Sequence, residues 1–295
     1  MNTTRKHAVQ SEDLAPPINT ATLAAPGGRL YYEVFGSGPV LLLIPGGPAD
    51  AGVFADLAGF LADRYTVVAY DPRGNSRSVV DGPPQDQQLD VHGDDAARLL
   101  AAVGSQPAAV FGTSGGAQIG LNLAARHPRL VHTLVAHEAP ALELLPDAAS
   151  QRAAMQEVVD TYTRAGVGPG MRRFGEVIGI SGGPGPVSRQ LAGGGEITEP
   201  MPAGLGRIMG NLDFFLGHGV GPISAYVPDI AALRAGPVRV VAGIGESSVG
   251  QLAYRCGAAL AERLGADPVT FPGDHSGFTS QPEAFARALH AVLRG

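Results

Sequence analysis

Short apolar runs of strand length alternate with amphipathic, helix-length patterns along much of the chain. Val40–Ile44 and Ala108–Phe111 are continuously apolar, which is typical of strands buried on both faces of a sheet. The other predicted core strands are Thr66–Tyr70, Leu130–Ala136, Val238–Val241 and Val269–Phe271, and the predicted core helices are 53–61, 91–103, 117–126, 251–264 and 283–293. This alternation predicts an α/β fold with a mainly parallel sheet flanked by helices.

The N-terminal part follows a different pattern. Residues 1–17 are predicted to be a flexible lead. Ile18–Leu23 and Leu30–Phe35 then flank the turn signal Pro26-Gly27-Gly28, which predicts a β-hairpin.

The α/β alternation is interrupted in the middle of the chain. Residues 141–228 carry helical patterns at Ala153–Tyr162 and Ile208–Leu216, on either side of a stretch rich in Gly and Pro from Gly182 to Gly206. We therefore predict a core made of 18–140 and 229–295, with 141–228 as an inserted helical cap. Because glycine carries high backbone entropy, the stretch from Gly182 to Gly206 is expected to be mobile.

Composition restricts the partners. The net charge is −6 and no cluster of Lys and Arg stands out, which argues against nucleic acid. No apolar run is long enough for a signal peptide or a membrane span, so a cytoplasmic protein that does not contact membrane is expected. Cys256 is the only cysteine, so neither a disulfide within the chain nor a thiolate metal site is expected. A small, neutral or apolar molecule is the expected partner, and the oligomeric state stays open.

Ser114 is the first candidate for chemistry. The pentapeptide Gly112–Gly116 lies between a predicted strand and a predicted helix, which is the context that lifts a serine hydroxyl out of a sheet on a sharp turn. The same Gly-x-Ser-x-Gly pattern recurs around Ser181, but there Pro184-Gly185-Pro186 follows and prevents a regular helix. Ser181 is therefore interpreted as a loop residue.

A serine nucleophile needs an imidazole base and a carboxylate that orients the imidazole. His275 lies in the glycine-bounded loop between the last predicted strand and the last helix, which is the most catalytic placement among the eight histidines. Two carboxylates follow predicted strands, Glu246 and Glu138, and either could reach one imidazole. Glu246 is preferred, with Glu138 as the alternative; either could instead be a solvated loop residue or a helix cap.

The loop Pro45–Pro48 follows a buried strand and can offer backbone N–H groups to a developing oxyanion. Gly47 is the expected donor. The amide of Gly115 is the expected second donor, because it follows the serine at a helix N-terminus, where the helix dipole also favours negative charge.

Together these residues resemble the α/β-hydrolase superfamily, from about residue 18 to the end. Pro45–Pro48 resembles the family's His-Gly-x-Pro loop, and Asp71–Ser78 resembles its Asp-x-Arg-Gly-x-Gly-x-Ser turn. Ser114 matches the nucleophile elbow, and Gly273–His275 matches the terminal Gly-x-His. The chain departs from the family in Pro45, where histidine is usual, and in Glu246, where aspartate is usual.

The resemblance implies an α/β-hydrolase fold and a serine hydrolase that cleaves an ester, lactone or thioester without a cofactor or metal. It also admits C–C hydrolysis, amide or peptide cleavage, and lyase or cyclase chemistry on the same residues. A non-catalytic small-molecule receptor is the alternative from another class. Asp71 and Arg73 are expected to clamp the loop near the site. The following residues could line an apolar roof, although helical spacing also fits a core role: Met171, Met201, Met209, Leu212, Phe214, Phe215 and Leu216.

Overall fold

The computed structural model describes residues 19–104, 106–179 and 203–295 of the chain. In these residues nine strands form one sheet, in the order β1-β2-β4-β3-β6-β7-β8-β9, with β5 paired to β2. The strands are β1 (Asn19–Ala25), β2 (Gly28–Phe35), β3 (Val40–Ile44), β4 (Thr66–Tyr70), β5 (Val79–Val80), β6 (Ala108–Thr113), β7 (Val131–His137), β8 (Arg239–Gly245) and β9 (Val269–Phe271).

The sheet is parallel from β4 through β3, β6, β7 and β8 to β9. β1 and β2 form the antiparallel hairpin that the turn signal predicts, and β2 joins the rest of the sheet antiparallel to β4. The predicted mainly parallel α/β sheet is confirmed. In a parallel sheet all carboxyl ends lie at one edge, so the loops that follow β3, β6, β7, β8 and β9 meet there.

Helices cover both faces of the sheet. They are α1 (Ala55–Leu61), α2 (Leu89–Val103), α3 (Gly115–Arg126), α4 (Ala148–Ala165), α5 (Val167–Ile178), α6 (Ala203–Gly210), α7 (Leu212–Phe214), α8 (Val220–Ser224), α9 (Ile230–Ala235), α10 (Leu252–Leu264), α11 (Gly277–Ser280) and α12 (Pro282–Arg294). The strand period of two divides β3 between two cores: Leu42 and Ile44 pack on one face, and Leu41 and Leu43 pack on the other. All four side chains are fully buried, as expected for a strand covered on both sides.

The described part of the chain between β7 and β8 is helical. A π-helical turn, Phe215–Gly219, joins α7 to α8. Side chains of this segment form a separate apolar cluster with α10, in which Met155, Val158 and Leu216 pack with Leu252 and Cys256. The division into a core and a cap at 141–228 stays a prediction.

Several sequence-based expectations lie outside the described residues. These are the lead 1–17, the loop role of Ser181, the roof position of Met201, and the mobility of the Gly-rich stretch as far as residue 202. The last residues of this stretch are described, and they belong to α6, which begins at Ala203. No helix in the described part of the chain is both long enough and apolar enough to cross a bilayer.

Candidate active site

Ser114 occupies the turn between β6 and α3, with φ 54° and ψ −128°. A positive φ is uncommon for a residue with a side chain, and such backbone strain clusters at functional sites. The flanking glycines make the turn possible. A Cβ on Gly112 would lie 2.4 Å from the Gly116 carbonyl oxygen, and a Cβ on Gly116 would lie 2.2 Å from the carbonyl oxygen of Ile44. The structure therefore gives Ser114 the backbone of an elbow.

The elbow is tied directly to the end of β7. The Ser114 amide donates to the His137 carbonyl oxygen at 2.9 Å. The next residue, Glu138, also has a positive φ of 48°, and its amide donates to the Gly243 carbonyl oxygen of β8 at 2.9 Å. This strained turn points the Glu138 side chain along the edge of the sheet, towards the loops after β8 and β9.

Glu138 binds the imidazole of His275. His275 Nδ1 lies 2.6 Å from Glu138 Oε2, and Glu138 Oε1 accepts a hydrogen bond from the Gly245 amide at 2.9 Å. An ionised carboxylate only accepts, so His275 Nδ1 carries the hydrogen in the neutral ring. The lone pair then lies on Nε2, which is the arrangement of a general base.

The Glu138 carboxylate is held in its charged form. Burial by itself raises the pKa of this carboxyl group, whose side chain is fully buried. The hydrogen bond from His275 is the largest effect that opposes burial. Together with the electrostatic effect of the His275 and His137 rings and the hydrogen bond from the Gly245 amide, it lowers the pKa to about 2. The His275 side chain is 18% exposed, so the imidazole is accessible while its carboxylate partner is not.

The preference for Glu246 as the partner of the imidazole is wrong. Glu246 is exposed, and its Oε1 accepts a hydrogen bond from the Gly273 amide at 3.0 Å. Its own amide donates to the Phe271 carbonyl oxygen. Glu246 misses the imidazole because β8 extends to Gly245, beyond the predicted end at Val241. Glu246 is then the first residue of the loop, and its side chain turns towards the backbone of the segment that carries His275. The alternative acid, Glu138, occupies the position beside the ring.

The elbow and the imidazole are connected through the residues that end β7. Ser114 bonds to the backbone of His137, the next residue is Glu138, and Glu138 bonds to His275. The rings of His137 and His275 stack with centroids 6.5 Å apart. Ser114 and His275, 161 positions apart in sequence, thus lie on loops at the same carboxyl edge of the sheet.

The loop after β3 lies against the elbow. A Cβ on Gly46 would lie 2.6 Å from the Ser114 Cβ and 2.9 Å from the Gly115 amide nitrogen. Gly47, with φ 55°, has its amide nitrogen 3.6 Å from the ideal Cβ position of Gly115. Within 19–104, 106–179 and 203–295 the Gly47 amide donates to no acceptor. The two expected oxyanion donors, Gly47 and Gly115, are therefore neighbours beside Ser114.

Comparison with known proteins identifies the family. A family model described as the alpha/beta hydrolase fold matches residues 39–177. The uncharacterized hydrolase YraK of Bacillus subtilis (strain 168) is 37% identical over 281 residues, 94% of this chain and 96% of that protein. The chain belongs to the α/β hydrolases.

Two further relatives extend the comparison. The crystal structure of a hydrolase from Pseudomonas aeruginosa PA01 matches with a TM-score of 0.68 and 25% identity, over 94% of this chain and 99% of that one. The 2-(acetamidomethylene)succinate hydrolase of Mesorhizobium japonicum (strain LMG 29417 / CECT 9101 / MAFF 303099) is 35% identical over 111 residues, 37% of this chain and 39% of that protein.

The site of this hydrolase has an apolar wall on the side of the helical segment. The ring of Phe215 lies 3.7 Å from the ideal Cβ position of Gly47, and Ile223 lies 3.6 Å from that of Gly115. Phe214 packs against Gly74. Leu212 and Leu216 are fully buried and serve as packing residues, and Met171 packs against the same apolar cluster as Leu216.

Asp71 and Arg73, which were expected to hold the loop after β4, make two separate sets of contacts. The buried Asp71 carboxylate accepts hydrogen bonds from the Ala51 amide and from Arg77, whereas Arg73 forms a two-pronged pair with Asp95 of α2. Asn75, inside the same motif, has a role that the motif did not reveal, because its Nδ2 donates to backbone carbonyl oxygens of the loop after β3.

His137 is a second residue of the candidate site that sequence reasoning missed. It is fully buried beside His275, and its Nδ1 lies 3.2 Å from Thr113 Oγ1. Burial lowers the pKa of His137 to about 4, so its ring is neutral near pH 7. The sequence signal that could have indicated its place near the site is its position at the end of a predicted strand, directly before Glu138.

Proposed function

We propose that this hydrolase cleaves an ester, lactone or thioester of a small, largely apolar molecule through an acyl-enzyme on Ser114. The observation that carries the proposal is the hydrogen bond from His275 to the buried, ionised Glu138, at the sheet edge where Ser114 occupies its strained turn. A nucleophile, a base and an orienting carboxylate on neighbouring strand ends have the roles that acyl transfer needs.

In the first half-reaction, Ser114 Oγ attacks the carbonyl carbon and His275 Nε2 takes the hydroxyl proton. The carbonyl oxygen becomes an oxyanion, for which the amides of Gly47 and Gly115 are the donors. The intermediate then collapses, and the imidazolium returns the proton to the departing alcohol or thiol. In the second half-reaction His275 activates water, which attacks the acyl-enzyme and releases a carboxylic acid and Ser114. Glu138 stays ionised and stabilises the imidazolium throughout.

The apolar wall supports the substrate class. Phe215 and Ile223 flank the Gly47 and Gly115 amides, so groups attached to the scissile carbonyl would meet hydrocarbon. Removing apolar groups of the substrate from water favours binding by about 25 cal/mol per Å² of area.

Cleavage of an amide-like bond is the second candidate, because a relative over about a third of the chain is named a 2-(acetamidomethylene)succinate hydrolase. The same residues would then return the proton to a departing nitrogen.

A series of p-nitrophenyl esters of increasing acyl length, with a matched acyl anilide series, tests the proposal. Parent protein should turn over esters and be labelled by a fluorophosphonate at Ser114. Ser114→Ala should lose both properties, whereas Ser181→Ala, at the second Gly-x-Ser-x-Gly, should keep both. Turnover of anilides alone would favour the second candidate. Labelling without any turnover would favour a receptor, and absence of labelling in the parent would contradict the nucleophile assignment.

A further inference from the structure

Asn211, on the helical segment between β7 and β8, forms a cluster of hydrogen bonds with two loops of the core. Its Nδ2 donates to the Pro48 carbonyl oxygen and to Ser76 Oγ, both at 2.8 Å, and its Oδ1 accepts from the Ser76 amide at 2.7 Å. The residue is only 6% exposed. These bonds use both ends of the amide, so the side chain has one defined orientation.

The Pro48 contact completes a row of three consecutive fixed carbonyl groups. Asn75 Nδ2 donates to the Gly47 carbonyl oxygen at 3.1 Å and to the Ala49 carbonyl oxygen at 2.9 Å. Asn211 holds the carbonyl between them. Because a peptide unit is planar, the held Pro48 carbonyl also fixes the direction of the Ala49 N–H, which donates to the Gly46 carbonyl oxygen at 3.2 Å. The Gly46 carbonyl lies in the same peptide unit as the Gly47 N–H. The Asn211 contact is therefore connected to the direction of the Gly47 amide, which lies beside Gly115.

A second contact joins the same helical segment to the same loop. Arg207 Nε donates to Asp50 Oδ2 at 2.6 Å, and Asp50 is 1% exposed. The other carboxylate oxygen of Asp50 accepts from the Gly52 amide at 2.9 Å. Arg207 lies four residues before Asn211, so two side chains one helical turn apart contact the loop after β3, at Asp50 and at Pro48.

We propose that Asn211 is a positioning residue that sets the direction of the Gly47 amide and thereby couples the placement of the helical segment to the oxyanion site. With the helical segment in its present position, Asn211 and Arg207 hold residues 48–50. When the Asn211 contact is lost, the Gly47 amide loses its alignment with the Gly115 amide. The catalytic consequence rests on the proposed function, whereas the tether itself does not.

Asn211→Ala and Asn211→Asp test this coupling. The aspartate variant has nearly the same shape, but it replaces the N–H donor with a carboxylate oxygen that faces the Pro48 carbonyl. Asn122→Ala is the matched control, because Asn122 is 3% exposed and its Nδ2 bonds to Asp90, on helices away from this loop. Arg207→Gln provides an independent variant if Asn211→Ala folds poorly.

Two readouts are compared: amide hydrogen exchange of the peptide that covers residues 45–52, and kcat and KM on the preferred p-nitrophenyl ester. Both Asn211 variants should speed exchange of that peptide and lower kcat about 10- to 100-fold with little change in KM, because a donor displaced by about 1 Å can lose about 10²-fold in rate. Asn122→Ala should change stability without either effect.

The outcomes separate the two ideas. Unchanged exchange in both Asn211 variants would overturn the tether, whatever happens to kcat. Faster exchange with parent-like kcat would overturn the coupling to the oxyanion site. If the parent turns over no ester and resists the fluorophosphonate, the proposed function fails, while the exchange measurement still decides whether Asn211 holds the loop.

Discussion

Glu138 Oε2 lies 2.6 Å from His275 Nδ1, although the two residues are 137 positions apart in sequence. The carboxylate reaches the ring because Glu138 leaves β7 with φ 48° and is held from the other side by the Gly245 amide. Glu246, one residue after that glycine, bonds instead to the backbone of Gly273. One carboxylate therefore orients the imidazole, and the other supports the loop that carries it.

Glu138→Gln should lower kcat/KM on the preferred ester by about 10²- to 10⁴-fold, because an amide neither stabilises the imidazolium nor fixes the ring tautomer. Glu246→Gln should stay within about threefold of the parent, because an amide oxygen can still accept from Gly273. Steady-state kinetics of the two variants measured side by side checks this pair. The reverse order of losses would return Glu246 to the role of triad acid.

Gly46→Ala should lower kcat by at least about 10²-fold, because the new methyl would lie 2.6 Å from both the Ser114 Cβ and the Thr113 carbonyl oxygen and would push the oxyanion loop from the elbow. Gly221→Ala is the control, since a Cβ there meets nothing within 4 Å. Activity and the thermal midpoint are measured for both variants. A fully active Gly46→Ala protein would show that the close approach of loop and elbow is not required.

Phe215→Ala should shift the preferred acyl chain towards longer or bulkier groups, because it removes the ring that lies against Gly47. The ratio of kcat/KM between a long and a short ester should change by roughly tenfold or more, the usual effect of one or two methylene groups in an apolar pocket. Phe214→Ala, which removes the neighbouring ring that packs on Gly74, should leave the ratio near the parent value. If the ratio changed equally in both variants, the acyl group would not lie against Phe215.

Stability should depend on pH through two buried histidines. Burial, with the Arg73 charge added for His92, lowers the pKa of His92 to about 4 from 6.5, and burial lowers that of His137 equally. At a pH between the ordinary histidine pKa of 6.5 and the lowered value of about 4, the unfolded chain binds more protons than the folded protein. The free energy of unfolding therefore falls as the pH drops from 6.5 towards 4.

Removing one of these imidazoles should flatten that dependence. His92→Gln should reduce the slope between pH 6.5 and 4 by at most roughly 1.4 kcal/mol per pH unit, the value for one proton. Urea unfolding at several pH values, with pH 8 as the reference where both rings are neutral, gives the slope. An identical slope in parent and variant would mean that His92 takes up its proton in the folded state.

Local sequence was sufficient for much of the fold. The apolar run Val40–Ile44 forms a strand buried on both faces, and Pro26-Gly27-Gly28 turns the hairpin. Both features depend on neighbours a few residues apart, since alternation of side chains and turn chemistry act over that range. The strand around Val238–Val241 was predicted too short, because its last residues include Gly243 and Gly245, which carry little strand propensity and are held by pairing with β7 and β9.

The sequence by itself determined the α/β architecture, the turn at Ser114, and the loop that carries His275, because periodicity, glycine placement and element order act along the chain. Only the tertiary structure decided that Glu138 faces the imidazole, since two carboxylates at adjacent strand ends differ in the direction of their side chains and not in local pattern. It alone also placed Asn211 against Pro48, 163 positions away, because contacts at such separation leave no local signal in one sequence.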